Sequence, residues 1–230
     1  GGAGAGGAVV SVTPRIAPGE RADVGVLNWA FAQASGLVTG TTPPNLFLTL
    51  GRNRKLFRGW LRFAGRLMPG GKLPRRETEL IILRVAHLTG CEYEQAHHRL
   101  LAKRARVTPT EIDGVVEGPS APCWSDREHV LLAAVDELHD RRDLGDDAWL
   151  DLRRHLVEPA ALEFLMLVGH YERLATTINT RRVQLDRLRR ARGGSVSRGG
   201  PSRPARSRPN RGPLRASRRR CRRCRGVATI

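Results

Sequence analysis

Apolar residues recur along this chain at three- and four-residue intervals, and no stretch alternates apolar with polar positions as a half-buried strand does. The pattern predicts an all-α fold, a compact bundle of about six to eight helices. A first helix is expected over about 21–35, with Val24, Leu27 and Phe31 on its apolar stripe, ended by Gly36 and the Thr39-Gly40-Thr41-Thr42-Pro43-Pro44 cluster. A second, over about 46–67, carries Leu50, Phe57, Trp60, Leu61 and Phe63 until Met68-Pro69-Gly70-Gly71 stops it. Pro74 suits the first turn of a third helix through about Leu88, because its missing N–H would have had no partner there. That helix is apolar almost all round from Leu80 to Leu88, so it is expected at the centre.

Thr89-Gly90 breaks the central helix, and a polar helix follows over about 91–105. Thr108-Pro109-Thr110-Glu111 and Ser125-Asp126-Arg127-Glu128 are capping boxes that open helices over about 109–117 and 126–140. Two more fit about 147–156 and 159–183. The longest apolar windows are core-sized and too short to span a bilayer, so no membrane association is expected. No charged, apolar-blocked start of a secretory signal is visible.

Charge changes the picture at one end only. The net charge of the 230 residues is +18, yet residues 187–230 hold sixteen Arg and no Lys, Asp or Glu, which leaves +2 for residues 1–186. Residues 1–19, rich in Gly, Ala, Val and Pro, read as a flexible leader, 20–186 as the folded domain, and 187–230 as a disordered Arg/Pro/Gly-rich tail. The tail reads either as a basic arm for nucleic acid or anionic surfaces, or as an extension without selected function. The domain itself carries no nucleic-acid signature. Cysteines at 91, 123, 221 and 224 do not form a stapled framework, so a reducing cytoplasm is the default location.

Candidate chemistry gathers around Gly90 to His98. Cys91, Glu94 and His98 fall at i, i+3 and i+7, so a thiol, a carboxylate and an imidazole share one helical face. A thiol at a helix N-terminus is expected to have a lowered pKa, as a nucleophile or redox group, unless it is an inert core residue. Glu94, at i, i+4 from His98, is positioned to orient its imidazole. His97 points about 100° away from His98, so one of the two is expected to face the site. Glu79 stands on the apolar side of the central helix, either as a general acid or base or in an ion pair with Arg84, Arg76 or a neighbouring helix. Tyr93, His97, His170, Tyr171 and Asn179 are candidates to line a pocket, or simply to bond within the core. No zinc spacing is complete, Cys221-Arg222-Arg223-Cys224 being half of one, and no metal or other cofactor is expected. Phosphate loops and Gly-x-Ser-x-Gly elbows are absent.

At these residues the chain resembles the carboxymuconolactone decarboxylase family, which includes the alkylhydroperoxidase D (AhpD) type of protein. The resemblance spans about 40–186 and rests on several features in order: Pro44-Asn45-Leu46-Phe47, Leu73-Pro74-Arg75, Glu79 to Arg84, Gly90 to His98, Gly118 with Trp124, Leu167-Val168-Gly169-His170-Tyr171, Asn179 and Val183-Gln184-Leu185-Asp186. It implies an AhpD-like helical bundle and a homo-oligomer, a trimer or a hexamer built from trimers. In the peroxidase branch a glutamate is followed twelve residues later by Cys-x-x-Cys and then a histidine, matching Glu79, Cys91 and His98, but Glu94 replaces the second cysteine. The disulfide of that branch cannot close here. The decarboxylase branch matches Glu94-x-x-x-His98, implying proton transfer on a small carboxylated lactone. The expectation is therefore an enzyme in which His98, oriented by Glu94 and assisted by Glu79, shuttles a proton. A Cys91 thiol peroxidase and a non-catalytic oligomer binding polyanions through its tail are the alternatives.

Overall fold

The computed structural model describes residues 13–189. The expected leader up to residue 12, the basic tail from residue 190, and the Cys221/Cys224 pair therefore lie outside the described residues. Within them the chain is all-α, with ten helices, no strand, and one isolated bridge between Thr41 and Leu188.

The helices are α1 Arg21–Val24, α2 Val26–Thr39, α3 Asn45–Leu50, α4 Arg54–Leu67, α5 Arg75–Leu88, α6 Glu92–Arg104, α7 Pro109–Glu117, α8 Asp126–Arg141, α9 Asp146–His155 and α10 Glu158–Arg181. Two expected helices are each divided. Gly25, at φ +81°, turns the chain between α1 and α2. Gly51 to Asn53 interrupt the second, and the Asn53 side chain restarts it by accepting the Leu56 N–H at 3.2 Å. Both capping boxes form, Thr108 with Glu111 and Ser125 with Glu128.

The expected apolar stripe of the first helix does not form the buried face. Val24 is buried, but Leu27 is 75% and Phe31 43% exposed. Helix α2 instead buries Asn28, Ala32 and Gly36. Its inner face is chosen by size: a Cβ on Gly36 would stand 2.7 Å from the Thr42 carbonyl oxygen, so only glycine lets the following loop close.

Helix α5 is the axis of the bundle. It packs against α6, α8, α10 and α7, and every residue from Glu77 to Ala86 is buried. Its charges tie down the helices on one side. Arg76 donates to Glu111 and Glu128, Arg127 donates to Glu77, and Arg84 holds Asp136 through two bonds of 2.7 Å while also donating to the Val115 carbonyl. Gly118, at φ +113°, leaves room for Arg84, whose Nη2 would lie 3.1 Å from a Cβ there.

Both ends of the described chain fold back onto the bundle. The Arg15 N–H donates to the Arg181 carbonyl and the Gly19 N–H to that of Leu48. Asp186 accepts the Asn45 N–H and the Tyr93 hydroxyl, each at 2.8 Å, while the Asn45 amide donates to the Gln184 and Leu185 carbonyls. Two sequence features 140 residues apart, Pro44 to Phe47 and Val183 to Asp186, thus meet at the start of α3. Among the described residues no helix is long and apolar enough to cross a membrane.

Candidate functional site

The break after α5 creates the site. Gly90 takes φ +58°, and Cys91 then occupies the N-cap position of α6, its N–H bonded to the Ala86 carbonyl. This sharp joint lays α6 beside α5, so that Glu79 of one helix faces His98 of the other.

His98 is buried, and its Nδ1 lies 2.7 Å from Glu79 Oε2. With Glu79 accepting, Nε2 is the ring nitrogen left for chemistry. Glu79 is itself fully buried, and its other oxygen lies 2.5 Å from Arg75 Nη2, a charge contact without the alignment of a hydrogen bond. One expectation is corrected here and one narrowed. His98 is oriented by Glu79, not by Glu94, because the cross-helix contact is direct while Glu94 makes no hydrogen bond to the ring. Of the partners expected for Glu79, the neighbouring helix is met through His98, while its second contact is Arg75, one turn before it, and not Arg84, taken by Asp136, or Arg76, taken by Glu111 and Glu128.

Glu94 is 2% exposed, with no nitrogen or oxygen donor on its carboxylate and only the buried Cys91 thiol beside it. Burial pushes its pKa up to about 8. It therefore carries its proton through most of the neutral range and can give it up or take it back.

Cys91 differs from expectation in the opposite sense. It is fully buried, and burial followed by the Glu94 charge pushes its thiol up to about 12. The Glu94 N–H at the start of α6 does favour the thiolate, but loss of solvent is the larger effect. Cys91 also lines none of the cavities around the site.

A cavity of about 340 Å³ opens beside Glu94 and His98. His170 and Tyr171 of α10 form one wall, and Phe47 of α3 with Trp60 of α4 another. Tyr171 meets the His98 ring edge-on, with centroids 5.2 Å apart, and Trp60 stacks on His170 at 6.0 Å. One of His97 and His98 is expected to face the site, yet both line this cavity, because it wraps round α6 as far as Tyr93, on which His97 stacks. Burial, with the adjacent His98 acting in the same direction, lowers His97 to about 3, and burial with Arg173 lowers His170 to about 4, so both imidazoles are neutral. Burial likewise holds the Tyr171 phenol well above its usual pKa.

Four of the five candidate wall residues, Tyr93, His97, His170 and Tyr171, thus surround the cavity together with Glu94 and His98, while Glu79 stands behind His98. Asn179 instead donates to the Thr89 carbonyl at the end of α5. Sequence reasoning missed Arg75, Trp60, Phe47 and Asp186. Arg75 was signalled by its i, i+4 spacing to Glu79; Phe47 and Trp60 arrive from α3 and α4, and Asp186 from the segment after α10, with no local signal. A larger depression of about 670 Å³ lies on the opposite face of α10, at Leu138, Trp149 and Gly169, away from the acid-base groups. Among the described residues no group of three or more His, Cys, Asp and Glu is placed to hold a metal ion.

Residues 54–137 match the profile of the Carboxymuconolactone decarboxylase family. Nothing among the curated proteins matches. Of the similar solved structures, one is an uncharacterized peroxidase-related protein from Ralstonia eutropha with an alkylhydroperoxidase AhpD core, at 19% identity and TM-score 0.67, covering 76% of this chain and 94% of that one. A second is the debrominase Bmp8, a cysteine-to-alanine variant in complex with 2,3,4-tribromopyrrole, at 19% identity and TM-score 0.66, covering 76% and 93%. A third, an uncharacterized peroxidase-related protein from a Silicibacter species, is 14% identical with TM-score 0.66, covering 76% and 94%. At these identities the likeness is one of fold.

Proposed function

We propose that this domain, whose residues 54–137 match the profile of the carboxymuconolactone decarboxylase family, is an enzyme that moves protons on a small unsaturated carbonyl compound of the lactone class. The observation that carries the reading is Glu94: a buried carboxyl without a nitrogen or oxygen donor, on the wall of a cavity shared with a histidine that a second buried carboxylate holds in place. Unpaired buried carboxyls are costly, and their retention fits a group kept for acid-base work.

In this reading Glu94 is the acid and His98 the base. His98 Nε2 takes a proton from the carbon next to the substrate carbonyl, Glu79 stabilises the imidazolium through Nδ1, and Glu94 hydrogen-bonds the carbonyl oxygen on which negative charge collects. Return of a proton to a different carbon shifts the double bond. Where a carboxyl group is present, loss of carbon dioxide leaves the same dienolate, and Glu94 is the proton donor that quenches it.

An acid at about 8 beside a pre-oriented imidazole suits general acid-base catalysis near neutral pH. Cys91 does not support the peroxidase reading, being enclosed, protonated at neutral pH and opposite a glutamate where a second thiol would be needed.

The test is deuterium uptake from D₂O at the carbon beside the carbonyl of unsaturated lactones, with and without a carboxyl group, followed by NMR. Exchange is expected to fall at least a hundredfold in Glu94→Gln and in His98→Ala and to persist in Cys91→Ser. Exchange that is indifferent to Glu94 and His98 ends the proposal.

A further inference from the structure

The chemistry of the cavity wall narrows the ligand. Neither lysine nor arginine lines it. Arg75 approaches from behind, and its guanidinium is engaged by Glu79. Arg173 is turned to His170 Nδ1, at 3.2 Å, and to the Phe63 ring. His97 and His170 are neutral, and a positive charge on His98 would be balanced by the Glu79 carboxylate on its Nδ1. A carboxylate entering here would lose its water, meet no uncompensated cation, and face Glu94.

The unsatisfied groups, by contrast, suit a neutral oxygen. The Trp60 indole Nε1 is buried without a hydrogen-bond partner, and Trp60 is a wall residue. Protonated Glu94 supplies a second donor, with its other oxygen free to accept. Around these polar points the walls are aromatic and aliphatic: Phe31, Phe47, Leu61, Met68 and Leu174. A flat ring fits such surroundings, stacking on rings while its oxygen collects the unpaired donors.

We propose that the ligand of this cavity is an uncharged, planar, unsaturated ring compound carrying a carbonyl or hydroxyl oxygen, and that its carboxylated counterpart is rejected. The proposal rests on the cavity being the reaction site, and it restricts the lactone class to members that bind without a free carboxylate.

Isothermal titration calorimetry at pH 7 with coumarin, an uncharged unsaturated lactone, and coumarin-3-carboxylate tests it on the intact chain. Coumarin is expected to bind at least tenfold more tightly. Leu61→Arg, which places a cation on the wall, should narrow or reverse the preference, and Trp60→Phe, which removes the indole donor but keeps a ring, should weaken coumarin three- to tenfold. A smaller preference in the parent protein, a preference for the carboxylate, or no coumarin binding up to millimolar concentration overturns the proposal. Failure of the catalytic reading looks different. Deuterium exchange restricted to carboxylated lactones but dependent on Glu94 and His98 would sink the ligand assignment alone. Selective coumarin binding with exchange indifferent to those residues would sink the catalytic reading alone.

Discussion

Helix α5 separates two populations of glutamate with opposite treatment. On the side of α7, Glu111 meets the Arg76 guanidinium and is held down to about 2. Near Arg76 and Glu111, Arg84 closes a two-bond fork on Asp136, and Arg127 closes one on Glu77. On the side of α6 and α10, Glu94 has no nitrogen or oxygen donor and is pushed up to about 8, and Glu79 is shared between an imidazole and a poorly aligned arginine. One side of the helix spends its charges on fixing neighbours, and the other keeps them incompletely paired around a cavity. Complete pairing marks scaffold, and deliberate incompleteness marks the site.

The sharpest way to break the contrast is to remove a scaffold charge. Arg84→Ala would leave Asp136 and the Val115 carbonyl without their donor and empty the space beside Gly118. It is expected to cost about 3–5 kcal/mol of stability in urea unfolding, the range for breaking one member of a buried pair.

Removing a site charge should do the reverse. Because folding raises the Glu94 pKa from 4.5 to about 8, the folded state is penalised progressively as pH rises from 4.5 through 8. Glu94→Gln lacks that penalty. Relative to the variant, the parent protein is expected to lose roughly 3 kcal/mol between pH 5 and pH 8, read as diverging unfolding midpoints. His97 and His170 act at the other end: their pKa values are lowered on folding, so the stability they favour is complete above 6.5 and fades as pH falls towards 3–4.

Smaller effects refine the boundary between the two regions. Tyr93→Phe removes the hydroxyl that Asp186 accepts from and should cost about 1–2 kcal/mol while leaving the ring that stacks on His97. Smallest of all is the expected response of Cys91 to alkylation. Iodoacetamide at pH 8, with mass spectrometry to resolve each site, should label the partly exposed Cys123 and leave enclosed Cys91 unmodified until the protein unfolds.

The helices were legible because their ends are chemically marked. Capping boxes, Pro109, Gly90 and Gly118 locate starts and stops from sequence, and the apolar run in α5 announces its central place. The titratable residues around the cavity are also legible, since the Gly90 joint and the His170-Tyr171 pair concentrate unusual side chains, whereas its Phe47 and Trp60 wall is not. Pairings were harder to read. Local spacing offered Glu94 as the partner of His98, whereas the actual contact comes from Glu79, nineteen residues away on another helix. For Cys91 the sequence leaves a lowered thiol pKa and an inert core residue both open, and burial selects the second, because helix position is visible in sequence and enclosure is not. The inner face of α2 was misread because apolar content suggested Leu27 and Phe31, while close approach of the loop at Thr42 selects Gly36.

The strap at Asp186 carries a consequence for how the protein is made. Its carboxylate is the group that holds the Tyr93 hydroxyl and the first N–H of α3. A chain growing from its N-terminus has synthesised α3, α5 and α6 long before residue 186 emerges, so the cavity wall at Tyr93 stands without its anchor until nearly the whole domain exists. Packing of the earlier helices around α5 can begin before then, but the anchor of the cavity wall is supplied last. A released chain cut between α10 and Asp186 would thus keep its helices and lack the carboxylate that fixes Tyr93 and the start of α3.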